Sequence, residues 1–205
     1  MTRSLCMLLL LVLAGCQAPK LDVTRIPIAK GATFDLLPPS GLGLSVSLEQ
    51  IVHARFGDRK FSFHCLLEVD PQEVVLVGMT PMNTRAFTVT LRGKELSVEL
   101  APGTQLPVEP ARILADLQLA LWPEPHVAGL QWSEGIRAGE FKREFQRLGT
   151  PVIQVIYDDE AALAVTEDFY DVVPNKLWGK NLVFKHFERD YELVVRTLHA
   201  EKLAP

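Results

Sequence analysis

The strongest constraint on the fold is a long alternation of apolar and polar residues in segment 42–56. Its apolar positions are Leu42, Leu44, Val46, Leu48, Val52, Ala54 and Phe56. The opposite face holds Ser45, Ser47, Glu49, His53 and Arg55. Gln50 is the only interruption of the apolar row. Because successive side chains of a β-strand point to opposite faces, this period of two predicts one long, half-buried strand.

Four shorter strands are predicted to follow and to form an antiparallel meander with the first. They occupy segments 60–69, 74–79, 87–92 and 96–100, which are separated by turn-forming residues and by a loop at 80–84. Apart from the continuously apolar segment 74–79, these segments also alternate between apolar and polar residues. Their inward faces are predicted to carry Phe61, Phe63, Cys65, Leu67, Val69, Phe87, Val89, Leu91, Leu96, Val98 and Leu100.

A helix is predicted after the break at 101–103. Pro110 is suited to the first turn of a helix, and Trp122-Pro123 ends it because proline cannot continue a helix. Its apolar residues recur at spacings of three and four: Ile113, Leu114, Leu117, Ala120 and Leu121. Such a helix between two sets of strands must cover an apolar surface.

The remaining chain is predicted to return to strands. Segments 136–147 and 152–157 form a hairpin, of which the charged first strand is edge-like or solvent-facing and the apolar second strand is central. Segment 158–180 is irregular and acidic, and a last hairpin joins 181–187 to 191–198. About eight or nine antiparallel strands with one helix predict a mainly β (α+β) fold. We expect a strongly curved sheet or unclosed β-barrel with the helix across its concave side.

The N-terminus has the features of a bacterial lipoprotein precursor. Arg3 precedes the apolar run 5–13, which as a helix is about 14 Å long against the roughly 30 Å hydrocarbon core of a bilayer. The following Leu-Ala-Gly-Cys ending at Cys16 resembles a lipobox. We therefore expect cleavage before Cys16 and its acylation, with palmitate-like chains as the membrane anchor. An ordinary signal peptide or a short buried helix is the alternative.

The lipobox sets the expected organisation and location. Residues 1–15 are the signal peptide, 16–41 the lipidated N-terminus and a tether rich in proline, and 42–205 a single domain. In the sorting scheme of enteric bacteria, Gln17 after the lipidated cysteine favours the outer membrane over the inner membrane. The expected product is an outer-membrane lipoprotein whose domain faces the periplasm.

Composition argues against several classes of function. The chain has 21 Lys+Arg against 25 Asp+Glu and no basic cluster with interleaved aromatics, so we expect no nucleic-acid partner. The mature chain would retain Cys65 as its sole unmodified cysteine, so no internal disulfide is expected.

Signals of enzymatic chemistry are weak. The five histidines show no metal-ligand spacing and are predicted to lie on outer strand faces or in loops. No nucleophile elbow or phosphate-binding glycine loop occurs, and the acidic run 158–160 is more typical of a solvated loop than of a cation site. We expect a protein that is not an enzyme, with no catalytic residue, no cofactor and no metal.

The inward apolar faces offer a candidate binding cavity. Its candidate lining residues are Phe61, Phe63, Leu76, Phe87, Val89, Leu91, Leu114, Leu117, Leu121 and Trp122. The alternative is a filled hydrophobic core, since a filled core and a cavity give the same periodicity.

Two segments resemble the LolA/LolB family of lipoprotein-localisation factors. They are VVLVGMTPM (74–82) with RAF (85–87), and ILADLQLALWP (113–123), with weaker support from VIY (155–157) and YEL (191–193). The chain is more similar still to LolB-like lipoproteins associated with aryl-polyene or fatty-acid-like biosynthesis genes. The resemblance implies an unclosed antiparallel barrel whose concave face binds acyl chains, with the helix as part of a lid.

The resemblance also implies non-enzymatic transfer of a lipid-bearing cargo at the outer membrane. In LolB-like proteins a protruding loop carries an apolar residue that touches the membrane, and the matching loop here holds Met79, Pro81 and Met82. Methionine replaces the leucine that is expected there, and its flexible apolar side chain preserves the role.

Three functional hypotheses follow from these observations. The first is an outer-membrane lipoprotein that binds acyl chains or a lipid-linked cargo. The second is a non-catalytic assembly partner of an envelope protein complex, with a filled core. The third is an enzyme that uses dispersed residues such as Asp158 or Glu160.

Overall fold

The computed structural model describes residues 20–21, 24–106, 108–137, 140–157 and 181–204. These residues form fourteen strands, one 3-10 helix and one α-helix. The lipobox and the irregular segment predicted at 158–180 lie outside the described residues.

The elements follow one another along the chain with short connections. The first strands are β1 (Lys20–Leu21), β2 (Arg25–Ala29) and β3 (Ala32–Asp35), followed by the 3-10 helix (Pro39–Leu42). The meander consists of β4 (Val46–Phe56), β5 (Arg59–Val69), β6 (Glu73–Met79), β7 (Arg85–Arg92) and β8 (Glu95–Leu100). Then come α1 (Pro110–Leu121), β9 (Val127–Ala128), β10 (Gln131–Arg137), β11 (Glu140–Arg147), β12 (Thr150–Tyr157), β13 (Asn181–His186) and β14 (Tyr191–Lys202).

Eleven of these strands form one antiparallel sheet that does not close on itself. Its order is β1-β8-β7-β6-β5-β4-β14-β13-β12-β11-β10. Strand β14 pairs with β4, which places the two halves of the chain side by side in the middle of the sheet. The predicted curved, unclosed antiparallel sheet with one helix is confirmed.

The strand register agrees with the alternation in the sequence. In β4, Val46, Leu48 and Ala54 are buried on the inner face, and Leu48 lies opposite the buried Leu67 of β5. Gly78 of β6 lies opposite Phe87 of β7, where an added Cβ would come within 2.1 Å of the aromatic ring. Glycine thus lets the ring of Phe87 lie across the strand.

The helix begins and ends where the sequence predicts. Pro110 lies in its first turn, and Trp122 directly follows its last residue. The helix packs on β2, β7 and β8, and it faces the middle of the sheet across a cavity. Its buried residues include Arg112, Asp116 and Gln118 as well as the apolar ones, so polar groups of α1 also need partners inside the protein.

The prediction of a tether as far as residue 41 is wrong for residues 25–41. Strands β2 and β3 form a hairpin that pairs with β9 in a second, three-stranded sheet. Ile26, Ile28 and Phe34 are buried in the main core. Pro27 is compatible with this hairpin because it lies at an exposed position of an edge strand. The folded domain therefore begins well before residue 42.

The prediction of an edge-like strand over 136–147 is also wrong. The segment is divided between β10, which is the edge strand, and β11, which lies between β10 and β12. Arg143 and Glu144 of β11 are buried. Their charges are tolerated inside the protein because each makes several hydrogen bonds.

Candidate ligand-binding cavity

A cavity separates α1 from the concave face of the sheet. Its lining residues come from α1 and from β4, β5, β6, β13 and β14. The apolar lining residues are Val52, Cys65, Leu76, Ile113, Leu117, Ala120, Leu121, Leu182, Phe184, Leu193 and Val195. The two polar ones are Gln50 of β4 and Asp116 of α1. Such walls suit an apolar ligand with few polar contacts.

The cavity is small while α1 lies against the sheet. Its volume is about 70 Å³. An engineered apolar cavity of about 150 Å³ stays dry and binds benzene. The present volume therefore suits a short apolar segment, and a whole acyl chain requires α1 to move away from the sheet.

Three of the ten residues proposed from the sequence line this cavity, namely Leu76, Leu117 and Leu121. Phe61, Phe63 and Phe87 instead form an aromatic row, with ring centroids 6.4 Å apart in the first pair and 6.2 Å in the second. Three others, Val89, Leu91 and Leu114, are fully buried in the core away from the cavity wall.

Trp122, the tenth of these residues, also lies away from the cavity wall. It is fully buried, and its Nε1 donates to the carbonyl oxygen of Pro38 at 3.3 Å. Gln118 adds a second tie to the same segment, because its amide exchanges hydrogen bonds with the backbone of Leu37 at 2.8 and 2.9 Å. The end of α1 is thereby fixed to the chain that precedes β4.

Sequence reasoning missed the contribution of the final hairpin to the cavity. Leu182 and Phe184 of β13 line it, together with Leu193 and Val195 of β14. Their alternation was visible in the sequence, but nothing local showed that β14 pairs with β4 and so brings this face beneath the helix.

A buried polar cluster lies at the wall beside Asp116. Arg112 Nε donates to Asp116 Oδ1 at 2.7 Å, and Tyr191 Oη donates to Asp116 Oδ2 at 2.5 Å. Arg112 Nη2 donates to Tyr191 Oη at 3.0 Å. Burial raises the pKa of Asp116, although the positive charge of Arg112 opposes the shift. Both oxygens of the Asp116 carboxyl are therefore already used within the protein.

The same cluster holds β2 on the helix. Arg112 Nη1 donates to the carbonyl oxygens of Pro27 and Ile28 at 3.0 and 2.7 Å. His186 Nε2 lies 2.7 Å from the same Ile28 oxygen, and the backbone N–H of Arg189 donates to its Nδ1 at 3.2 Å. These partners indicate a neutral imidazole that carries its proton on Nε2.

His186 departs from the prediction that the histidines are exposed. It is buried because it follows Leu182 and Phe184 on the inner face of β13. Burial lowers its pKa to about 4, and the charges of Arg112 and Arg189 act in the same direction. Within the described residues, no cluster of three or more metal-ligating side chains occurs.

The C-terminal end of α1 is held by Arg143 of β11. Its Nη1 donates to the carbonyl oxygens of Leu119 and Trp122 at 2.9 and 2.8 Å. An ion pair with Glu134 at 2.9 Å balances its charge. The last carbonyls of a helix have no partner within the helix and carry partial negative charge, so a buried guanidinium is well suited to this position.

Three exposed apolar side chains lie on connections at one end of the sheet. Met82 is 87% exposed in the β6–β7 loop, Leu148 is 96% exposed in the β11–β12 turn, and Phe187 is 52% exposed after β13. The antiparallel register places all three connections at the strand ends where β4 turns into β5. Of the other loop candidates, Pro81 is exposed, whereas Met79 is a half-buried residue of β6.

The fold and the cavity define a mainly β protein with an unclosed antiparallel sheet and an apolar cavity beneath a single helix. The chain belongs to the family described as "Protein of unknown function (DUF3261)", whose family model matches residues 47–199. No curated protein matches the sequence. In the part of the chain that the structure describes, no helix combines the length and apolar character needed to cross a membrane.

Three solved structures are similar to this chain at low sequence identity. A LolA superfamily protein from Nitrosomonas europaea has 10% identity and a TM-score of 0.45, over 78% of this chain and 87% of its own. A domain from Vibrio parahaemolyticus, described as an outer membrane lipoprotein-sorting protein domain, has 7% identity and a TM-score of 0.45, over 78% and 86%. A DUF1329 family protein from Desulfovibrio piger has 9% identity and a TM-score of 0.40, over 80% and 92%.

Proposed function

We propose that the protein binds an acyl chain or a lipid-linked cargo beneath α1 and assists its non-enzymatic transfer or localisation in the bacterial envelope. The observation that carries this proposal is the cavity, in which eleven of thirteen lining residues are apolar or cysteine. A close-packed core contains few voids larger than a water molecule, so a space of about 70 Å³ between the helix and the sheet favours a binding site. The polar ties at both ends of α1 hold the helix on the sheet, so entry of a whole acyl chain would require these ties to open.

The N-terminal sequence supports anchoring of this domain by lipid on Cys16, with Gln17 favouring the outer membrane. At about 3.5 Å per residue, the chain from Cys16 to Lys20 can span about 14 Å. Lys20 pairs with Ser97 and Leu21 with Leu96, so Lys20, the first described residue, lies on the side of the C-terminal end of β8. Leu100 at that end lies opposite Phe87, near the β6–β7 loop. The anchor would therefore emerge on the side of the exposed apolar tips.

We infer that this end of the sheet meets the bilayer. Met82 and Pro81 are exposed in the β6–β7 loop, as a membrane-contacting loop requires. Leu148 and Phe187 extend the apolar character to two further connections at the same strand ends. A docked orientation would bring the cavity close to the lipid from which a cargo is taken or to which it is delivered.

The test uses the chain from Gln17, which contains every described element, produced in the periplasm. Native mass spectrometry should show a retained species of lipid mass, and a fluorescent fatty acid should bind. Ala120→Leu, which fills the cavity, should reduce uptake at least tenfold, whereas Ala128→Leu at an exposed site of β9 should not. A clean apo mass and no uptake would contradict the proposal. A stably co-purifying envelope protein would then favour an assembly partner.

A further inference from the structure

Gln50 is the one residue of the inner face of β4 that breaks its apolar row. It is 5% exposed and lines the cavity. It lies in a cross-strand row between Cys65 of β5 and Thr197 of β14, near the centre of the sheet. A polar side chain thus lies on the floor of a site whose one other polar lining residue is Asp116 of the helix.

The side-chain amide of Gln50 is only partly satisfied. Its Nε2 donates to Thr197 Oγ1 at 3.2 Å, and the described residues offer no hydrogen-bond partner to its carbonyl oxygen. If the amide were turned over, the carbonyl would accept from Thr197 and the NH₂ group would be left over instead. In either orientation one end of the amide is available at the cavity wall.

Nothing in the packing of β4 requires an amide at this position. Val52 is the next inward residue of the strand and Leu48 the one before, and a leucine at position 50 would continue their row. Asp116 differs from Gln50 because both of its oxygens are occupied by Arg112 and Tyr191. Among the described residues, Thr88 Oγ1 is the one fully buried side-chain polar atom without a partner, so the free end of the Gln50 amide is not sealed in the core and opens on the cavity that Gln50 lines. Gln50 is therefore better explained by a ligand than by the fold.

We propose that Gln50 recognises a hydroxyl group on the bound acyl chain, so that the cavity prefers hydroxylated chains to plain saturated ones. The inference rests on the proposed function. A hydroxyl both donates and accepts, so it complements whichever end of the amide faces the cavity. It is also small enough to fit between apolar walls. One additional hydrogen bond corresponds to roughly a threefold to tenfold gain in affinity.

The experiment compares a saturated fatty acid with hydroxy fatty acids of the same length. The hydroxyl is placed near the carboxyl end, in the middle, or near the tail of the chain. Affinities are measured by competition against a fluorescent fatty acid, on the chain from Gln17 and on its Gln50→Leu and Gln50→Met variants. The unaltered chain should prefer one hydroxy acid by roughly threefold to tenfold. Both variants should bind the saturated acid and lose the preference.

Each outcome separates this inference from the proposed function. Equal affinity of the unaltered chain for saturated and hydroxylated acids overturns the inference alone. A preference that survives in both variants also overturns it, because another group then recognises the hydroxyl. Absence of binding by every acid overturns the proposed function and the inference with it. Circular dichroism melting curves of the two variants establish that they are folded when their affinities are measured.

Discussion

Arg143 Nη1 lies 2.8 Å from the carbonyl oxygen of Trp122, so a strand inside the sheet caps the end of the helix that covers the cavity. Arg143→Met should remove this cap and leave Glu134 without its buried partner. We expect the free energy of unfolding to fall by roughly 2 kcal/mol, because the carbonyl oxygens of Leu119 and Trp122 lose their buried donor. Urea denaturation of the two proteins measures the difference.

The matched control is Arg25→Met. Arg25 pairs with Asp35 at 2.8 Å, but both side chains are exposed, and the substitution should change stability little. A loss as small in Arg143→Met as in Arg25→Met would show that the guanidinium does not hold the helix.

Labelling of Cys65 provides a second measurement on the Arg143→Met variant. Cys65 lines the cavity, and burial raises the pKa of its thiol to about 12, so it should react slowly with a maleimide. It is the sole cysteine of the chain from Gln17. If Arg143→Met loosens α1, labelling of Cys65 should become faster under conditions where the protein stays folded. An unchanged labelling rate would indicate that the helix stays closed without the cap.

His186 should make stability depend on pH. In the unfolded chain it titrates near 6.5, whereas in the folded chain its pKa is about 4. Between these values the unfolded chain binds more protons, so its stability falls as the pH is lowered through this window. The full loss is roughly 3 kcal/mol. Above about pH 6.5 this contribution is constant.

His186→Gln isolates that contribution, because every other titrating group is the same in both proteins. Glutamine can still donate to the Ile28 carbonyl but does not titrate. We expect a shallower decline of the denaturation midpoint between pH 6.5 and 4 in the variant. If the denaturation midpoints of the two proteins fell in parallel with pH, His186 would not be the cause of the pH dependence.

The strand phases and the helix could be predicted because each depends on a local period. The β2–β3 hairpin was missed because Pro27 and its neighbours are typical of a tether, and the pairing of Phe34 with Val127 joins residues that lie far apart in the sequence. The burial of His186 was within reach of the sequence, since it is in phase with Phe184. The position of a residue in the alternation of a strand was a better guide to its burial than its residue type.

The cavity lining was less predictable than the fold. Leu114 and Leu117 belong to the same apolar stripe of α1, yet Leu114 is packed in the core and Leu117 faces the cavity. Periodicity identifies an inward side chain but not what lies opposite it. The Arg112–Asp116 ion pair was not predicted either, although its i, i+4 spacing is visible in the sequence, and the third member, Tyr191, is brought in by the sheet topology.

Filling the cavity should abolish lipid binding while the protein stays folded. Ala120→Leu adds apolar atoms to a space of about 70 Å³, so the substitution should raise stability by roughly 1 kcal/mol. The same variant should lose lipid uptake. Thermal denaturation together with the binding assay tests both expectations. A destabilised variant would show that the walls do not leave room for the added side chain.

Leu148 stands in a two-residue turn where leucine is costly for the fold. Its φ is 48° and that of Gly149 is 79°, and asparagine adopts this left-handed conformation more readily than leucine. Leu148→Asn should therefore stabilise the chain by roughly 1 kcal/mol. If the exposed leucine serves contact with lipid, the same substitution should weaken binding of the chain from Gln17 to anionic lipid vesicles several-fold.

Leu198→Asn is the matched control for the vesicle assay. Leu198 is 46% exposed and lies within β14, away from the turns that carry Met82, Leu148 and Phe187. Co-sedimentation with vesicles should be reduced by Leu148→Asn and unaffected by Leu198→Asn. If Leu148→Asn raises stability without reducing vesicle binding, the leucine strains the turn but does not contact the membrane. A variant that is both more stable and less membrane-bound would show that the leucine is retained for contact with lipid at the expense of the fold.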